Sequence, residues 1–300
     1  MLRWRLSIGA LLIAALAGLC WLDAAAARPG IALAGLAIVA AVLAVGEMRR
    51  MFRSSGVEPS AAAMYVGTLL PVVASAVPIV FPGVTVIPAL GTTGWLAIGL
   101  ALGGMSALAS EMRRYATPGV SIANVAHAAL SVLYVGGLVG MLVQLRQVNA
   151  PSDIGGWRGL YPLLAVIATV KLSDTCQYFV GRSLGKHKLS PLISPGKTWE
   201  GAVGGILLAS LFSAAAIAWI NQGAVGLRPG YFAMAWCFAL SVSVAGIIGD
   251  LAESLLKRDA GVKDSSDWLP GFGGVLDLLD SLLFAAPVGY LWWVLGLLNP

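Results

Sequence analysis

Long apolar runs alternate with short polar breaks along almost the whole chain. Nine runs are each long enough to cross roughly 30 Å of hydrocarbon as a helix. They cover about residues 6–24, 30–48, 61–82, 86–109, 119–145, 158–180, 200–220, 231–254 and 275–297. No segment between them is long enough for a soluble domain. The pattern predicts an all-α polytopic membrane protein with about nine transmembrane helices. Two of the breaks, 182–199 and 255–274, are long, basic and rich in glycine and serine.

Composition agrees with the pattern. Of 300 residues 58% are hydrophobic and 11% charged, where soluble domains carry about 25% charged residues. The net charge of +5 does not come from one basic run, so nucleic acid is not an expected partner. The cations divide by side instead. With the N-terminus inside, the inner side holds 14 of the 19 Lys and Arg, among them Arg3, Arg5, Arg49, Arg50, Arg53, Arg182, Lys257 and Arg258. The outer side holds Arg28, Arg146, Arg158 and Arg228, and Lys171 lies within a span. This asymmetry predicts a cytoplasmic N-terminus and puts both long polar breaks in the cytoplasm. The first run, with Arg3 and Arg5 before it and Ala24–Ala27 after it, is expected to stay as an uncleaved anchor. Cys20, Cys176 and Cys237 have no metal-binding spacing and read as packing residues.

The acidic residues divide along the chain. Residues 1–150 hold Asp23, Glu47, Glu58 and Glu111 and read as scaffold helices. Asp153 follows in an outer loop. Residues 151–300 read as the catalytic region, with Asp174, Glu200, Asp250, Glu253, Asp259, Asp264, Asp267, Asp277 and Asp280. Lys171 with Asp174, Asp250 with Glu253, and Asp277 with Asp280 are spaced so that each pair shares one helix face. Charge within a bilayer is costly and usually marks a functional cavity. Buried ion pairs between helices are the structural alternative. A divalent cation with phosphate oxygens suits carboxylates that face a basic, glycine-rich loop.

Two motifs sharpen this. One is Ser194-Pro195-Gly196-Lys197-Thr198-Trp199-Glu200-Gly201, at the mouth of a span. The other contains Ser254, Lys257, Arg258, Lys263, Asp264, Pro270, Gly271, Gly273, Gly274, Asp277 and Asp280. Together and in this order, they resemble the signature of the bacterial phosphatidate cytidylyltransferase family. Phe272 stands where that family has histidine, and Leu278 where it has arginine. The resemblance implies transfer of the cytidylyl group of CTP to phosphatidic acid, with pyrophosphate released, in the bacterial inner membrane. It implies Mg2+, with a second, monovalent cation left open, and a homodimer among membrane lipids. On that reading Asp250, Asp277 and Asp280 hold magnesium, and Lys263 joins them in catalysis. Lys257 and Arg258 neutralise triphosphate. Asp174, Ser194, Lys197, Thr198, Glu200 and Asp264 shape the substrate pocket, and Gly273 and Gly274 let backbone come close to phosphate. A CTP-dependent lipid-alcohol kinase would need a similar nucleotide site. A cation or proton transporter would need carboxylates across the full depth of the bilayer.

Other features carry less. Gly136 with Gly140 and Gly201 with Gly205 are small-residue pairs that let helices approach. Gly196-Lys197-Thr198 ends like a phosphate loop, but the earlier glycine would fall at Pro191 and no strand is expected before it. His187 is expected in solvent and His127 hydrogen-bonded within the bundle. Trp292 and Trp293 read as an interfacial belt.

Overall fold

The computed structural model describes residues 2–81, 91–116, 118–148, 156–222, 228–266, 268 and 273–298, with only the backbone of residues 2–7. Asp153, Asp267, Pro270, Gly271 and Phe272 therefore lie outside the described residues. Among the described residues nine helices are long and apolar enough to span a membrane. They are α1 (Leu2–Ala25), α2 (Ile31–Ser54), α3 (Ala61–Val80), α4 (Gly91–Arg114), α5 (Ser121–Leu145), α6 (Trp157–Leu184), α7 (Trp199–Ile220), α8 (Pro229–Asp259) and α9 (Val275–Val294). In α5 the middle, Val132–Gly137, is wound as a π-helix.

Nine spans were expected, and α2, α6 and α8 outrun their apolar runs. Helix α2 continues through Arg49, Arg50 and Arg53, and α8 through Lys257 and Arg258. Backbone hydrogen bonding carries a helix past the last apolar residue, whereas hydropathy marks only the apolar part. One expectation is corrected. The loop after α6 contains a hairpin, with β1 (Lys188–Ser190) antiparallel to β2 (Ser194–Thr198). Lys197 and Thr198 thus sit in a strand, though not in a phosphate loop.

The chain divides into two compact units. The first is residues 1–160 with 256–279, and the second is 161–255 with 280–300. Residues 256–279, which carry most of the second motif, thus pack with the N-terminal helices.

In the first unit α3 and α4 meet through small residues. A Cβ on Gly103 would press against the Gly67 carbonyl oxygen and Val132, whereas one on Gly104 would meet open space. Gly136 and Gly140 face Thr68, Pro71 and Ser75 of α3. Asp23 and Arg146 form a buried pair at 2.9 Å. Asp23 also accepts the Gly30 and Leu33 N–H groups. Arg146, counted from the sequence among the outer-side cations, is buried together with its carboxylate partner.

In the second unit Gly201 and Gly205 let α7 close on Gln177 and Gly181 of α6. Both small-residue pairs are thus used inside the chain. Trp293 is corrected too. It is 1% exposed and packs edge-on against Phe238, with Tyr161 beside it. Trp292 donates to Ser241 Oγ on α8. Trp293 is core, because α9 turns it toward α8, whereas Trp292 is half-buried.

Replacing Gly103 with Leu should overpack the α3–α4 contact at a cost of about 2–3 kcal/mol. Gly104→Leu should leave stability unchanged. A thermal melt in detergent checks the pair, and equal midpoints would refute the close-contact account.

Candidate functional site

In the first unit the second motif folds into a loop between two helix ends. Helix α8 stops at Gly261, whose φ of +69° is easily reached only by glycine. Gly261 N–H bonds to the Arg258 carbonyl, and Val262 N–H to that of Lys257, which closes the last turn. Ser54 of α2 donates to the Ala260 carbonyl at 2.9 Å. Arg258 donates to the Val262 carbonyl. Lys263 and Asp264 then run exposed to solvent.

Helix α9 begins at the other end of the loop. Its first backbone N–H groups have no partner within the helix. Asp277, three residues past Gly274, accepts the Gly274 N–H at 2.8 Å and so caps its own helix. The same oxygen accepts Ser265 N–H at 2.9 Å and Ser265 Oγ at 2.6 Å. Its other oxygen holds Lys257 Nζ at 2.6 Å. Asp277 thus joins α8, the loop and α9.

Glu47 of α2 completes the junction. It accepts Val275 N–H at 2.9 Å and Leu276 N–H at 2.8 Å, the next two donors of α9. It also accepts Ser266 Oγ at 3.3 Å and Trp268 Nε1 at 3.0 Å, and lies 2.8 Å from Ser265 Oγ, whose single hydroxyl hydrogen it shares with Asp277. Glu47 is 1% exposed. These donors and the positive end of α9 offset the cost of burying its charge. Gly273 and Gly274 are shaped by these acids. Gly273 has φ +84°, and a side chain there would strike Asp277; one on Gly274 would strike Glu47 and Ser265. The close approach expected for phosphate is made here by two carboxylates of the chain itself.

Glu47 belongs to residues 1–150, read from the sequence as scaffold, and it holds part of the second motif in place. Its signal was present: a carboxylate at the end of an apolar span, the feature that drew attention to the later spans. Leu278 is half-buried beside Asp277.

In the second unit Lys197 Nζ meets Asp250 Oδ2 at 2.5 Å. Ser254 donates to the other oxygen of Asp250 at 3.4 Å. Lys171 and Asp174, one turn apart on α6, pair at 3.3 Å. Asp280, 9% exposed, feels the charges of Asp250, Asp174 and Lys171. This unit therefore gathers three carboxylates with two lysines.

The first motif is held by its own side chains. Thr198 caps α7 by accepting the Gly201 N–H at 3.1 Å. Glu200 reaches back to the Lys186 and His187 N–H groups and to His187 Nδ1 at 2.5 Å. His187 is exposed as expected, but it is paired with Glu200. Ser194 opens β2 opposite Ser190. His127 lies within hydrogen-bonding distance of the Ala123 carbonyl, inside the bundle.

Among the described residues no three His, Cys, Asp or Glu side chains form a ready cage for a metal ion. The donors present are carboxylate oxygens, the type magnesium selects. Magnesium commonly takes one or two of these and completes its shell with water and substrate phosphate. Ammonium groups stand against Asp250 and Asp277, which marks both as sites of cation attraction. The donor chemistry therefore fits magnesium shared with a phosphate substrate.

Comparison with known proteins follows the same motifs. The pattern of the Cytidylyltransferase family matches residues 5–295. A phosphatidate cytidylyltransferase of Haemophilus influenzae is 43% identical over 151 residues, 50% of this chain and 50% of the relative. That of Bacillus subtilis is 38% identical over 176 residues, 59% and 60% of the two chains. That of Pseudomonas aeruginosa is 44% identical over 151 residues, 47% and 54%. The chain spans about half the length of the curated relatives it matches.

Glu47→Gln keeps the shape of the side chain but turns one acceptor into a donor that faces N–H and O–H groups. Leaving buried donors unsatisfied should cost about 2–4 kcal/mol. The chain at 262–266 should become cleavable by protease at concentrations that spare the wild type. Equal cleavage would show that Glu47 does not hold the loop.

Proposed function

The chain belongs to the cytidylyltransferase family, and from that premise we propose that it is a phosphatidate cytidylyltransferase. The reaction joins CTP and phosphatidic acid into CDP-diacylglycerol and pyrophosphate. A lipid phosphate oxygen bonds to the α-phosphorus of CTP. The bond from that phosphorus to the oxygen bridging toward the β-phosphorus breaks, and its electrons leave with pyrophosphate. The observation that carries the reading is the Asp277 junction, where the family motif is built around a lysine–carboxylate pair.

Such a reaction brings two highly anionic substrates together, so catalysis is chiefly positioning and charge neutralisation. Lys257 and Arg258 leave the last turn of α8, and Lys263 follows on the exposed loop. They supply cations for triphosphate and for the leaving pyrophosphate. Lys197 supplies another from β2, next to Thr198 and Glu200, which hold the hairpin in place. Lys197 and Lys257 each rest on a carboxylate, which stores the cation in a defined rotamer until phosphate competes for it. Asp174 has the same relation to Lys171. Ser194 and Asp264 stay candidates for substrate contact on the motif.

Magnesium, when bound, would withdraw charge from the phosphate oxygens and steady the leaving group. The candidate ligands are Asp250, Asp277 and Asp280, carried by the motif and by their carboxylate chemistry. Gly273 and Gly274 stay in the site through the carboxylates they accommodate. A place in the bacterial inner membrane with a cytoplasmic N-terminus rests on the lysine and arginine asymmetry and on the bacterial relatives. A homodimer belongs to the reading on the resemblance alone.

The test uses purified protein in detergent with CTP, phosphatidic acid and magnesium, and measures pyrophosphate and CDP separately. Pyrophosphate that requires both lipid and magnesium is expected. CDP in its place would mean a kinase, and the absence of both products would overturn the reading. Asp277→Asn should lower turnover at least about 100-fold, because an amide presents a donor to Gly274 N–H, Ser265 or Lys257. The variant should still insert and purify; full activity would remove Asp277 from the site.

A further inference from the structure

The first unit holds a cavity of about 600 Å³ at the Glu47 junction, lined by α2, α3 and described residues of the loop after α8. Its wall has two characters. Arg50 and Tyr65 line it, and neither has a hydrogen bond or ion pair among the described residues. The Tyr65 hydroxyl stands over Gly46, where a Cβ would come within 3.1 Å of it. The opposite character is apolar. Val42 and Leu43 line the cavity two turns before Arg50 on the same helix. Leu36, Val39 and Leu43 are 43%, 55% and 39% exposed and continue as one strip along α2.

Two acids also line the cavity. Glu47 is turned toward its donors, so its charge is already met. Asp264 is exposed to solvent, where water and salt weaken its repulsion. Arg50 and the Tyr65 hydroxyl therefore set the chemistry of the polar end, and they suit a phosphate group. A free nucleotide has no use for the apolar strip. From Leu36 to Arg50 the helix rises about 21 Å, more than half the hydrocarbon thickness. A cation at the end of an apolar strip of that length fits one lipid standing in one leaflet.

We infer that this cavity is the entry site for the phosphatidic acid substrate, with its phosphate on Arg50 and Tyr65 and an acyl chain along Leu43, Val39 and Leu36. The inference rests on the proposed reaction for the identity of the lipid. It assigns to α2 the lipid specificity of the protein, next to the Glu47 junction that orders the catalytic loop. A neutral or zwitterionic lipid would leave Arg50 facing no net charge and should bind less well.

The test uses full-length wild type, Arg50→Gln and Arg50→Lys in mixed micelles. KM for phosphatidic acid is measured at saturating CTP, and KM for CTP at saturating lipid. Losing one charge-assisted phosphate contact should raise the lipid KM about tenfold in Arg50→Gln, with the CTP KM unchanged and most of the loss recovered in Arg50→Lys. Native mass spectrometry of each protein after exposure to phosphatidic acid and phosphatidylcholine gives a readout independent of turnover. Wild type should retain phosphatidic acid preferentially, and Arg50→Gln should not. Turnover with a lipid KM and retention indifferent to Arg50, or an equal rise in the CTP KM, would overturn the inference and leave the reaction standing. Arg50-dependent retention without any turnover would support the lipid site and overturn the reaction.

Discussion

Helix α9 begins in a loop, and its first N–H groups point where no further turn of helix can take them. Asp277 takes one and Glu47 takes two. The same two carboxylates share the Ser265 hydroxyl. An unpaired amide in an apolar interior costs on the order of 1–3 kcal/mol, and an unpaired buried carboxylate costs more. Each group here removes the other's cost, so the junction forms as a whole. It ties Ser265 and Ser266 of the basic loop to the start of α9 and holds Asp277 against Lys257.

The two units use charge in the same way. In each, a lysine from one segment rests on an aspartate from another, Lys257 on Asp277 and Lys197 on Asp250. Neither pair is fully buried, so each can exchange with incoming ions more readily than the sealed Asp23–Arg146 pair. A sealed pair holds helices together, because separating its members strands a charge in an apolar interior. A pair that keeps some access to solvent, as Lys197–Asp250 does and Lys257–Asp277 does to a smaller degree, can give its cation to phosphate and its carboxylate to metal. This difference in exposure separates the structural ion pair from those suited to chemistry.

Packing in the spans follows a different constraint. Lipid offers no hydrophobic drive for helices to associate, so close approach must come from small residues. Gly67 and Gly103 in the first unit, and Gly201 and Gly205 in the second, bring backbones together. The larger side chains that remain exposed are the ones available to lipid, and the strip on α2 is such a surface.

Helix number and type were legible in the sequence, because roughly 20 apolar residues in a row leave the backbone no partner in lipid except itself. The motif residues were legible too, since intramembrane charge is rare and its spacing is conspicuous. Helix ends were less so: α2 and α8 run on through their terminal arginines and lysines, which hydropathy reads as loop. Tertiary structure alone decided the partnerships. Glu47 lies 218 positions from Ser265 along the chain, and nothing local ties that acid to the basic loop. Trp293 read as an interfacial residue until α8 covered it. Gly273 and Gly274 lie against carboxylates from other parts of the motif and from α2, which no local pattern showed. Local sequence sets what a segment must hide from lipid, whereas the fold decides which distant segment does the hiding.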